Sequence, residues 1–434
     1  MEPIYVGLIS ILLIFILLFM KMPVAYVMLV VGMGGFAFLR NFPAMLSISS
    51  QTVYNNFASY SLIVVPLFVW MGYIAFHSGL SSRIYDATYK LMGSMRGGLV
   101  MATIIACTAF GAICGSTTAT AATMSAVALP EMKRYNYSRS LSTATIAAAA
   151  ILGVMIPPSV IFILYGISSQ ESIRQLFLAG IFPGILLMSL FMLAAYLQAL
   201  YKPESAPRGE KVPWGEKLKA LFSGGAEVIF VFIAVMGGLY AKIFTPTEAG
   251  AVGAFATLVV AVVRRRLSWK SFLDSLSDSV RISAMIMFLV AAAAIYGRFL
   301  AITGLPRGLA NWAVELPLPP YAILAIIMLI YLVLGFFIDA LALVLLTVPI
   351  FYPVAVEIGY DPIWFGVIIV LALGMGVITP PVGANVYVVA GVDRETPVMT
   401  IFRGVWPYLL AIFACIIILT VFPQIALFLP ELLR

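Results

Sequence analysis

The sequence predicts an all-α polytopic membrane protein that contains two inverted copies of one structural unit. Of its 434 residues, 63% are hydrophobic and only 10% are charged, and the mean hydropathy is +1.09. A soluble domain would carry about 25% charged residues. One phrase, Gly153 to Pro158, recurs as Gly376 to Pro381, and the basic residues are divided unequally between the two sides of the predicted spans. Together these observations are typical of a transporter with internal repeats.

The apolar runs predict the membrane spans. The first run starts at about Pro3 with no preceding basic residue and ends at Met20. It lacks the positive segment of a signal peptide, so we expect a retained span with its N-terminus outside. Further spans are predicted at about 24–39, 61–78, 141–166, 176–201, 224–243, 247–263, 282–302, 362–391 and 405–428.

Composition excludes several classes of function. The single histidine, His77, cannot form a His-based metal site or a catalytic triad. The cysteines Cys107, Cys114 and Cys415 lie in apolar sequence without ligand spacing, so we expect them to pack in the interior. The chain contains no phosphate loop, Walker motif or nucleophile elbow, and we do not expect an enzyme. The net charge of +7 is expected to reflect basic cytoplasmic loops rather than nucleic-acid binding.

The basic residues predict the orientation of the chain. Of the 25 Lys and Arg residues, 19 fall on one side of the predicted spans, five fall on the other side, and Arg298 lies within a span. Cytoplasmic loops carry an excess of Lys and Arg, so the first side is predicted to be cytoplasmic. Its segments are Lys21, 79–97, 131–139, 202–222, 264–281 and 392–403. The five residues on the outer side are Arg40, Arg174, Lys242, Arg307 and Arg434.

The repeated phrase breaks a helix in each of two apolar segments. Pro157-Pro158 and Pro380-Pro381 remove backbone donors and clash with the preceding turn. In lipid such a break is tolerated only where protein or a water-filled cavity satisfies the freed carbonyls. The offset of 223 residues (376 − 153 = 223) predicts further equivalent positions, although chance alignment of apolar sequence is the alternative. These are Pro130 with Pro353, Ser116 with Asp339, and, after a slip of two residues, Gly79-Leu80 with Gly304-Leu305.

The charge distribution indicates that the two copies are inverted. The segment 131–139 is basic and predicted to be cytoplasmic, whereas the equivalent region around Glu357 and Asp361 carries no Lys or Arg and is predicted to be external. An inverted-topology repeat requires equivalent loops to face opposite sides in this way.

Two further apolar stretches, about 98–130 and 319–354, are interrupted by small and polar residues. Each is long enough for two half-membrane helices but too short for two full spans. Both are predicted to be re-entrant hairpins, with tips near Ser116 and Asp339, the first entering from the cytoplasm and the second from outside. Close helix packing is the alternative for the Ser/Thr cluster at the first tip.

These features predict four parts of the chain. They are N-terminal scaffold helices at 1–60; a first inverted repeat at 61–201, with a hairpin at 98–130 and a broken helix at 141–166; a cytoplasmic linker and scaffold helices at 202–281; and a second inverted repeat at 282–428, with a hairpin at 319–354 and a broken helix at 362–391.

Each half is predicted to form one Na⁺ site from a hairpin tip and its own broken helix. Hydroxyl, carboxylate and backbone carbonyl oxygens are hard ligands that suit a small hard cation. The predicted ligands are Ser116, Thr118 and the carbonyls near Gly153 and Met155 in the first half, and Asp339, the carbonyls near Gly376 and Ile378, and the Thr379 hydroxyl in the second half, with Asn385 in support.

Asp339 is the only acidic residue deep in an apolar segment, and Arg298 is a basic residue in the middle of one. A carboxylate inside the membrane is costly and usually functional, so Asp339 is expected to bind a cation or a proton; an ion pair with Arg298 is the alternative. Arg298 is predicted to lie mid-span and to grip a substrate carboxylate, with hydroxyls from Ser159 and Ser116. In the alternative placement its span slides and Arg298 reaches the outer surface.

Several stretches resemble, in order and over nearly the whole chain, the large membrane subunit of tripartite ATP-independent periplasmic (TRAP) transporters. The combination is specific. The matching stretches are Met22 to Ala25, Pro66 to Phe68 with Gly72, Gly115 to Ala122, Leu152 to Ser159, Thr245 to Ala249, Gly376 to Gly383 and Phe422 to Gln424.

The resemblance implies Na⁺-driven uptake of an organic acid, such as sialic acid or a C4-dicarboxylate, across the bacterial inner membrane. It implies an elevator, in which a transport domain with two hairpins moves against a scaffold, and no cofactor besides the coupling Na⁺. The implied partners are a periplasmic substrate-binding protein and a small four-helix membrane subunit, expected as a separate chain because this one starts at its first span. The roles of Ser116, Asp339 and Arg298 agree with the family pattern, but Thr117-Thr118 stands where many members carry a second serine.

Other functions remain open at this point. A stand-alone sodium/dicarboxylate symporter of the same architecture would need no periplasmic protein. A channel would conduct without coupling, and a membrane scaffold would tolerate the loss of Asp339 and Ser116.

Overall fold

The computed structural model describes residues 2–209 and 212–433, without the side chains of Leu221 and Ser223, and every regular element in these residues is a helix. Among these described residues, six helices are long and apolar enough to cross a membrane, or seven spans if 139–155 and 160–169, bent by 45° at their break, count as one. The predicted all-α polytopic class is therefore confirmed. Two residues of the charge distribution, Lys211 and Arg434, lie outside the described residues.

The chain opens with four helices, and the fourth already belongs to the first predicted repeat (61–201). They are α1 (Pro3–Phe19), α2 (Val24–Leu39), α3 (Phe42–Phe57) and α4 (Val64–His77), and a 3-10 turn at Tyr60–Ile63 precedes α4. Helix α3 falls outside the predicted spans. It starts at Asn41, whose Oδ1 accepts a hydrogen bond from Ala44 N at 2.8 Å, which satisfies a free donor at the helix start.

The first repeat unit contains a hairpin and a broken helix. Helices α6 and α7 form the hairpin and are separated only by Gly115 and Ser116, and the broken helix is interrupted at 156–159. The other helices of this unit are α5 (Leu80–Met92), α6 (Gly98–Cys114), α7 (Thr117–Arg134), α8 (Arg139–Ala149), α9 (Leu152–Met155), α10 (Val160–Ser169) and α11 (Ile173–Tyr201).

Three short helices and one of membrane-spanning length connect the two repeat units in the described residues. They are α12 (Trp214–Ala220), α13 (Ala226–Phe232), α14 (Gly238–Tyr240) and α15 (Pro246–Val263), with π-helical segments at Leu221–Gly225 and Ile233–Gly237. A capping box starts α15, because the Thr245 side chain accepts from Glu248 N and the Glu248 carboxylate accepts from Thr245 N at 2.8 Å.

The second repeat unit follows the same order of elements. Its helices are α16 (Trp269–Thr303), α17 (Leu305–Glu315), α18 (Pro320–Gly335), α19 (Ala340–Glu357), α20 (Pro362–Gly376), α21 (Ala384–Val392), α22 (Val398–Val421) and α23 (Gln424–Leu432). Helix α16 runs without interruption, so the boundary expected between 281 and 282 falls inside one continuous helix of 35 residues.

Backbone geometry at equivalent positions supports the repeat. Gly79, before α5, and Gly304, before α17, both adopt the left-handed conformation, with φ of +69° and +70°. These are the two glycines that the sequence alignment pairs. A proline also lies inside the second hairpin helix of each copy, Pro130 in α7 and Pro353 in α19.

A buried glutamate forms ion pairs with two other elements on the side predicted to be cytoplasmic. Glu227 of α13 is only 6% exposed, and its Oε1 lies 2.6 Å from Arg83 Nη1 of α5 and 2.8 Å from Arg264 Nε after α15. A charge this buried requires such partners, because its desolvation is otherwise uncompensated.

An exposed cluster joins the first hairpin to the second broken helix. Glu395, between α21 and α22, pairs with Lys133 at 3.0 Å and with Arg139 at 2.9 Å. The hydrogen bond from Lys133, together with the charges of Lys133 and Arg139, lowers the pKa of Glu395.

Candidate functional site

The first tip, Gly115 to Thr118, is a sharp reversal between α6 and α7. Gly115 has a φ of +63°, a left-handed conformation that glycine adopts without strain. Ser116 caps α7, because its Oγ accepts a hydrogen bond from Ala119 N at 3.4 Å. The same Oγ lies 3.3 Å from Thr118 Oγ1, so two predicted cation ligands are adjacent.

The first hairpin packs directly on its broken helix. A Cβ added to Gly111 of α6 would lie 2.3 Å from the Cα of Gly153, and one added to Gly153 would lie 3.5 Å from the carbonyl oxygen of Ser116. A Cβ on Gly115 would lie 3.0 Å from the carbonyl oxygen of Pro158. The predicted ligand residue Gly153 therefore lies against the first tip, and the Pro158 carbonyl joins it there although it was not predicted.

Two other predicted residues of the first half have different surroundings. The carbonyl oxygen of Met155 packs against α11, where it would lie 2.8 Å from a Cβ on Gly180. Ser159 is only 1% exposed and caps α10, because its Oγ accepts from Phe162 N at 3.4 Å. Among the described residues neither lines the cavity at the tips, although their neighbours Val154 and Val160 do, and the substrate role of Ser159 stays a prediction.

The second tip, Ile338 to Leu341, carries the carboxylate. Asp339 caps α19, because its Oδ1 accepts a hydrogen bond from Leu341 N at 2.9 Å. Within the described part of the chain Asp339 forms no ion pair, and Arg298, the alternative partner, lines a different cavity. In that part of the chain the partners of this carboxylate are therefore backbone N–H groups, and no basic side chain neutralises its charge.

The second hairpin packs on its broken helix as the first hairpin does. A Cβ on Gly335 of α18 would lie 3.0 Å from the Cα of Gly376, and a Cβ on Gly376 would lie 2.8 Å from the Cα of Gly335. This glycine contact is equivalent to that between Gly111 and Gly153. Ile378, two residues beyond, is fully buried. Both copies therefore hold a tip and a helix break together through backbone contact.

The second break also connects the two copies. Asn385 is fully buried, and its Nδ2 donates to the carbonyl oxygen of Ala147 in α8 at 3.1 Å. Its Oδ1 is buried without a hydrogen-bond partner among the described residues, so this oxygen is available to a cation. Thr379 Oγ1 donates to the Met375 carbonyl at 2.6 Å and keeps its lone pairs for a further partner.

The two tips meet at a cavity of about 480 Å³, which we call the inner cavity. It brings the hydroxyls of Ser116 and Thr118 and the carboxylate of Asp339 to one space. Its opposite wall consists of aromatic and aliphatic side chains of α4 and α16 that were not predicted, because contacts between distant helices leave no local pattern. These are Val69, Tyr73, Phe76, Ile282, Met285 and Ile286.

Arg298 lines a separate cavity of about 1060 Å³, the outer cavity. It precedes the last residue of α16, Thr303, by five positions (303 − 298 = 5), or about 8 Å of helix. Ile286, which lines the inner cavity, lies 12 positions before Arg298 (298 − 286 = 12), or about 18 Å. Arg298 therefore lies near the outer end of its span, as in the alternative placement, and not beside Ser116.

Known proteins match this chain along most of its length. A family model described as "Tripartite ATP-independent periplasmic transporter, DctM component" matches residues 11–425. The chain is 33% identical over 375 residues to the C4-dicarboxylate TRAP transporter large permease protein DctM of Pseudomonas aeruginosa, covering 86% of both chains. It is 34% identical over 417 residues to the sialic acid TRAP transporter large permease protein SiaM of Vibrio cholerae, covering 96% of both.

Solved structures share the fold at lower identity. The Alcanivorax borkumensis YdaH transporter superposes with a TM-score of 0.64 and 16% identity, covering 88% of this chain and 89% of that one. MtrF of Neisseria gonorrhoeae superposes with a TM-score of 0.53 and 15% identity, covering 86% and 84%. At these identities the likeness concerns the fold alone.

Proposed function

The chain belongs to the DctM family of tripartite ATP-independent periplasmic (TRAP) transporters, and on that premise we propose that it couples the inward movement of Na⁺ to the uptake of an organic acid. As a member of this family it is a multi-pass protein of the bacterial inner membrane and the large membrane subunit of its transporter. The observation that carries the proposal is the inner cavity, where the hydroxyls of Ser116 and Thr118 and the carboxylate of Asp339 converge.

The donors at the two tips suit Na⁺. Hydroxyl, carbonyl and carboxylate oxygens are the ligands of hard cations, and the charge of Asp339 compensates that of a bound ion. Asn385 Oδ1 supports the fit, because it is a buried oxygen without a partner among the described residues. The ligands of the proposed first site are Ser116, Thr118 and the carbonyls near Gly153 and Met155, of which Met155 has the weakest geometric support. The ligands of the proposed second site are Asp339, the carbonyls near Gly376 and Ile378, Thr379 and Asn385.

An elevator movement would connect the two cavities. The glycine contacts pack each tip against its broken helix, and α10, α16 and α19 each line both cavities. In the proposed movement each tip and its broken helix travel together as one body. A displacement of this body along α16 by on the order of 18 Å would bring the tips from the height of Ile286 to that of Arg298. Rigid-body movement of repeats around a fixed site is a common route to alternating access.

The substrate class and partners follow from the relatives. The matched permeases are named for C4-dicarboxylates and sialic acid, so we propose an acid with at least one carboxylate. A periplasmic substrate-binding protein would deliver it, and a small membrane subunit would be a separate chain. A relative named isethionate TRAP transporter permease protein DctMQ, from Oleidesulfovibrio alaskensis, is 35% identical and this chain spans 59% of its length, which leaves room there for a fused partner segment.

The Na⁺ dependence of thermal stability tests the proposal without knowledge of the substrate. Asp339→Asn removes the charge at the second tip. Asp361→Asn is the matched control, because Asp361 also caps a helix, accepting from Ile363 N at 2.8 Å and Trp364 N at 2.9 Å, but does not line the inner cavity. Binding of Na⁺ at about 100 times its dissociation constant stabilises a protein by roughly 2.7 kcal/mol.

We expect NaCl, compared with KCl at equal ionic strength, to raise the melting temperature of the natural protein and of Asp361→Asn. In Asp339→Asn, the Na⁺ concentration for half of this rise should increase at least tenfold. An unchanged Na⁺ response in Asp339→Asn would show that the second cation site is wrong. Uptake of labelled acid by this chain without a periplasmic protein would instead favour a stand-alone symporter.

A further inference from the structure

The outer cavity is a second space that the proposed Na⁺ sites do not use. An adjoining lobe of about 400 Å³ shares with it Asn56, Ile167, Gln170, Ala294 and Arg298. These residues lie on elements whose nearby loops are predicted to be external. Small organic ligands usually occupy pockets of about 300–1,000 Å³, so the adjoining lobe falls within this range and the outer cavity is slightly larger than its upper end.

Arg298 is the charged group deep in this space. Its side chain is exposed to the cavity and forms no ion pair or hydrogen bond with any residue in the described part of the chain. Ala294 and Val290 line the same cavity one turn and two turns before Arg298 on α16. Leu345 and Pro349 of α19 also line it. The polar side chains of Asn56 and Gln170 share both lobes with Arg298. An unpaired guanidinium in a membrane helix marks a water-filled pathway or a ligand.

The other charged groups of the outer cavity lie at helix ends that form its rim. Arg307 is in the first turn of α17, and Glu357 is the last residue of α19. Glu171 follows α10 in the adjoining lobe, where its carboxylate accepts a hydrogen bond from Tyr352 Oη at 2.5 Å. Both carboxylates therefore lie at helix ends next to loops predicted to be external, whereas Arg298 lies inside α16, five positions before its last residue.

We propose that the outer cavity is a receiving site for organic acids, in which Arg298 binds the carboxylate before the acid reaches the two tips. A guanidinium can hold a carboxylate through two parallel hydrogen bonds, which gives orientation as well as attraction. This inference rests on the proposed uptake function, because only inward transport brings the acid to the outer side first. Arg298 then serves the outer site rather than the inner cavity with which the sequence associated it.

A cysteine reporter measures the local potential without the natural substrate. Ala301 is exposed, lines the outer cavity and lies one turn from Arg298, whereas the three native cysteines are buried. The full chain carrying Ala301→Cys, in lipid vesicles at low salt, is treated with an anionic (sulfonatoethyl) and a cationic (trimethylammonioethyl) methanethiosulfonate. A unit charge about 8 Å away should change the ratio of the two rates roughly fourfold.

We expect Arg298→Gln to lower the anionic-to-cationic rate ratio roughly fourfold. The matched variant Arg298→Lys retains the charge and should keep the ratio. An equal ratio in Arg298→Gln and in the parent would overturn the proposal, because the cavity would then have no attraction for anions that depends on this residue.

Protection of the same cysteine tests occupancy. In an Asp339→Asn background, which disables the proposed inner site, millimolar succinate or N-acetylneuraminate should slow the anionic reagent when Arg298 is present and not in Arg298→Gln, because the bound acid both occupies the cavity and neutralises the guanidinium. No protection by either acid overturns the receiving site. This result is distinguishable from failure of the uptake proposal, which is read from the Na⁺ response of Asp339.

A lipid headgroup phosphate is the other source of anionic chemistry for this guanidinium. The protection measurement is therefore repeated in vesicles of phosphatidylcholine alone and with phosphatidylglycerol added. Protection by the acids in both membranes supports the proposal. Protection that appears only with the anionic lipid, and that the acids do not change, would assign the site to a headgroup and overturn it.

Discussion

Replacing Gly111 with alanine perturbs the contact between the first hairpin and its broken helix. The new Cβ would lie 2.3 Å from the Cα of Gly153, whereas carbon atoms in good contact lie about 3.5–4.0 Å apart. Because the obstructing atom belongs to the backbone, no side-chain rotation can remove the overlap. Helix α6 and the broken helix would have to separate by more than about 1 Å.

The expected cost follows from two opposing terms. Overpacking in a tight interior typically costs about 1–3 kcal/mol and more where backbone must move, while alanine gains about 1 kcal/mol over glycine in helix propensity. We therefore expect Gly111→Ala to lower the free energy of unfolding by roughly 1–2 kcal/mol. Gly34→Ala in α2 is the matched control, because its Cβ would meet nothing within 4 Å, and it should be neutral or stabilising.

The assay is thermal unfolding of the purified protein with and without Na⁺. In Gly111→Ala the melting temperature should fall relative to Gly34→Ala, and the response to Na⁺ should weaken because the first tip is displaced from Gly153. Gly376→Ala in the second copy should have a smaller effect, since its Cβ would lie 2.8 Å from the Cα of Gly335. Equal stability and equal Na⁺ response in Gly111→Ala and Gly34→Ala would refute the close packing of hairpin and break.

Two further predictions concern the ion-pair clusters. Basic partners, Lys133 first, lower the pKa of Glu395, so its contribution is complete above the ordinary glutamate range and is lost as the pH falls through the lowered value. The difference in melting temperature between the natural protein and Glu395→Gln should accordingly be constant from pH 7 to about 5 and shrink only below about 4.5. A difference that already shrinks near pH 6 would contradict this prediction. Glu227→Gln should lower the free energy of unfolding by about 2–3 kcal/mol, measured by thermal unfolding, because it removes the buried charge that pairs with two arginines. Glu131→Gln should be close to neutral, because the pair of Glu131 with Arg134 is exposed and 3.7 Å long. Similar losses of stability in both variants would show that burial of Glu227 is unimportant.

The sequence was most informative where local chemistry determines the backbone. The Pro-Pro pairs end helices because proline lacks a donor and clashes with the preceding turn, and the structure interrupts both helices there. Gly79 and Gly304 adopt the left-handed conformation at equivalent helix starts, and Ser116 and Asp339 cap the second hairpin helices as Ser and Asp commonly do. These features depend on a few neighbouring residues and can be recognised without knowledge of the surroundings.

The sequence was less informative about depth in the membrane and about contacts between distant helices. Helix α16 begins at Trp269 and continues through the segment predicted to be a loop, because a helix can extend beyond the apolar layer. Arg298, predicted to lie mid-span, lines the outer cavity instead. Ser159, expected at the substrate, is buried as a helix cap.

By itself, the sequence determined the class of the fold, the places where helices break and the residue types available to a cation, and it predicted the inverted copies. Only the tertiary structure decided that the two tips share one cavity walled by α4 and α16, that glycine pairs join each hairpin to its break, and that Asn385 connects the two copies. The reason is physical: caps and breaks are properties of adjacent residues, whereas the neighbours of a side chain depend on how helices hundreds of residues apart pack together.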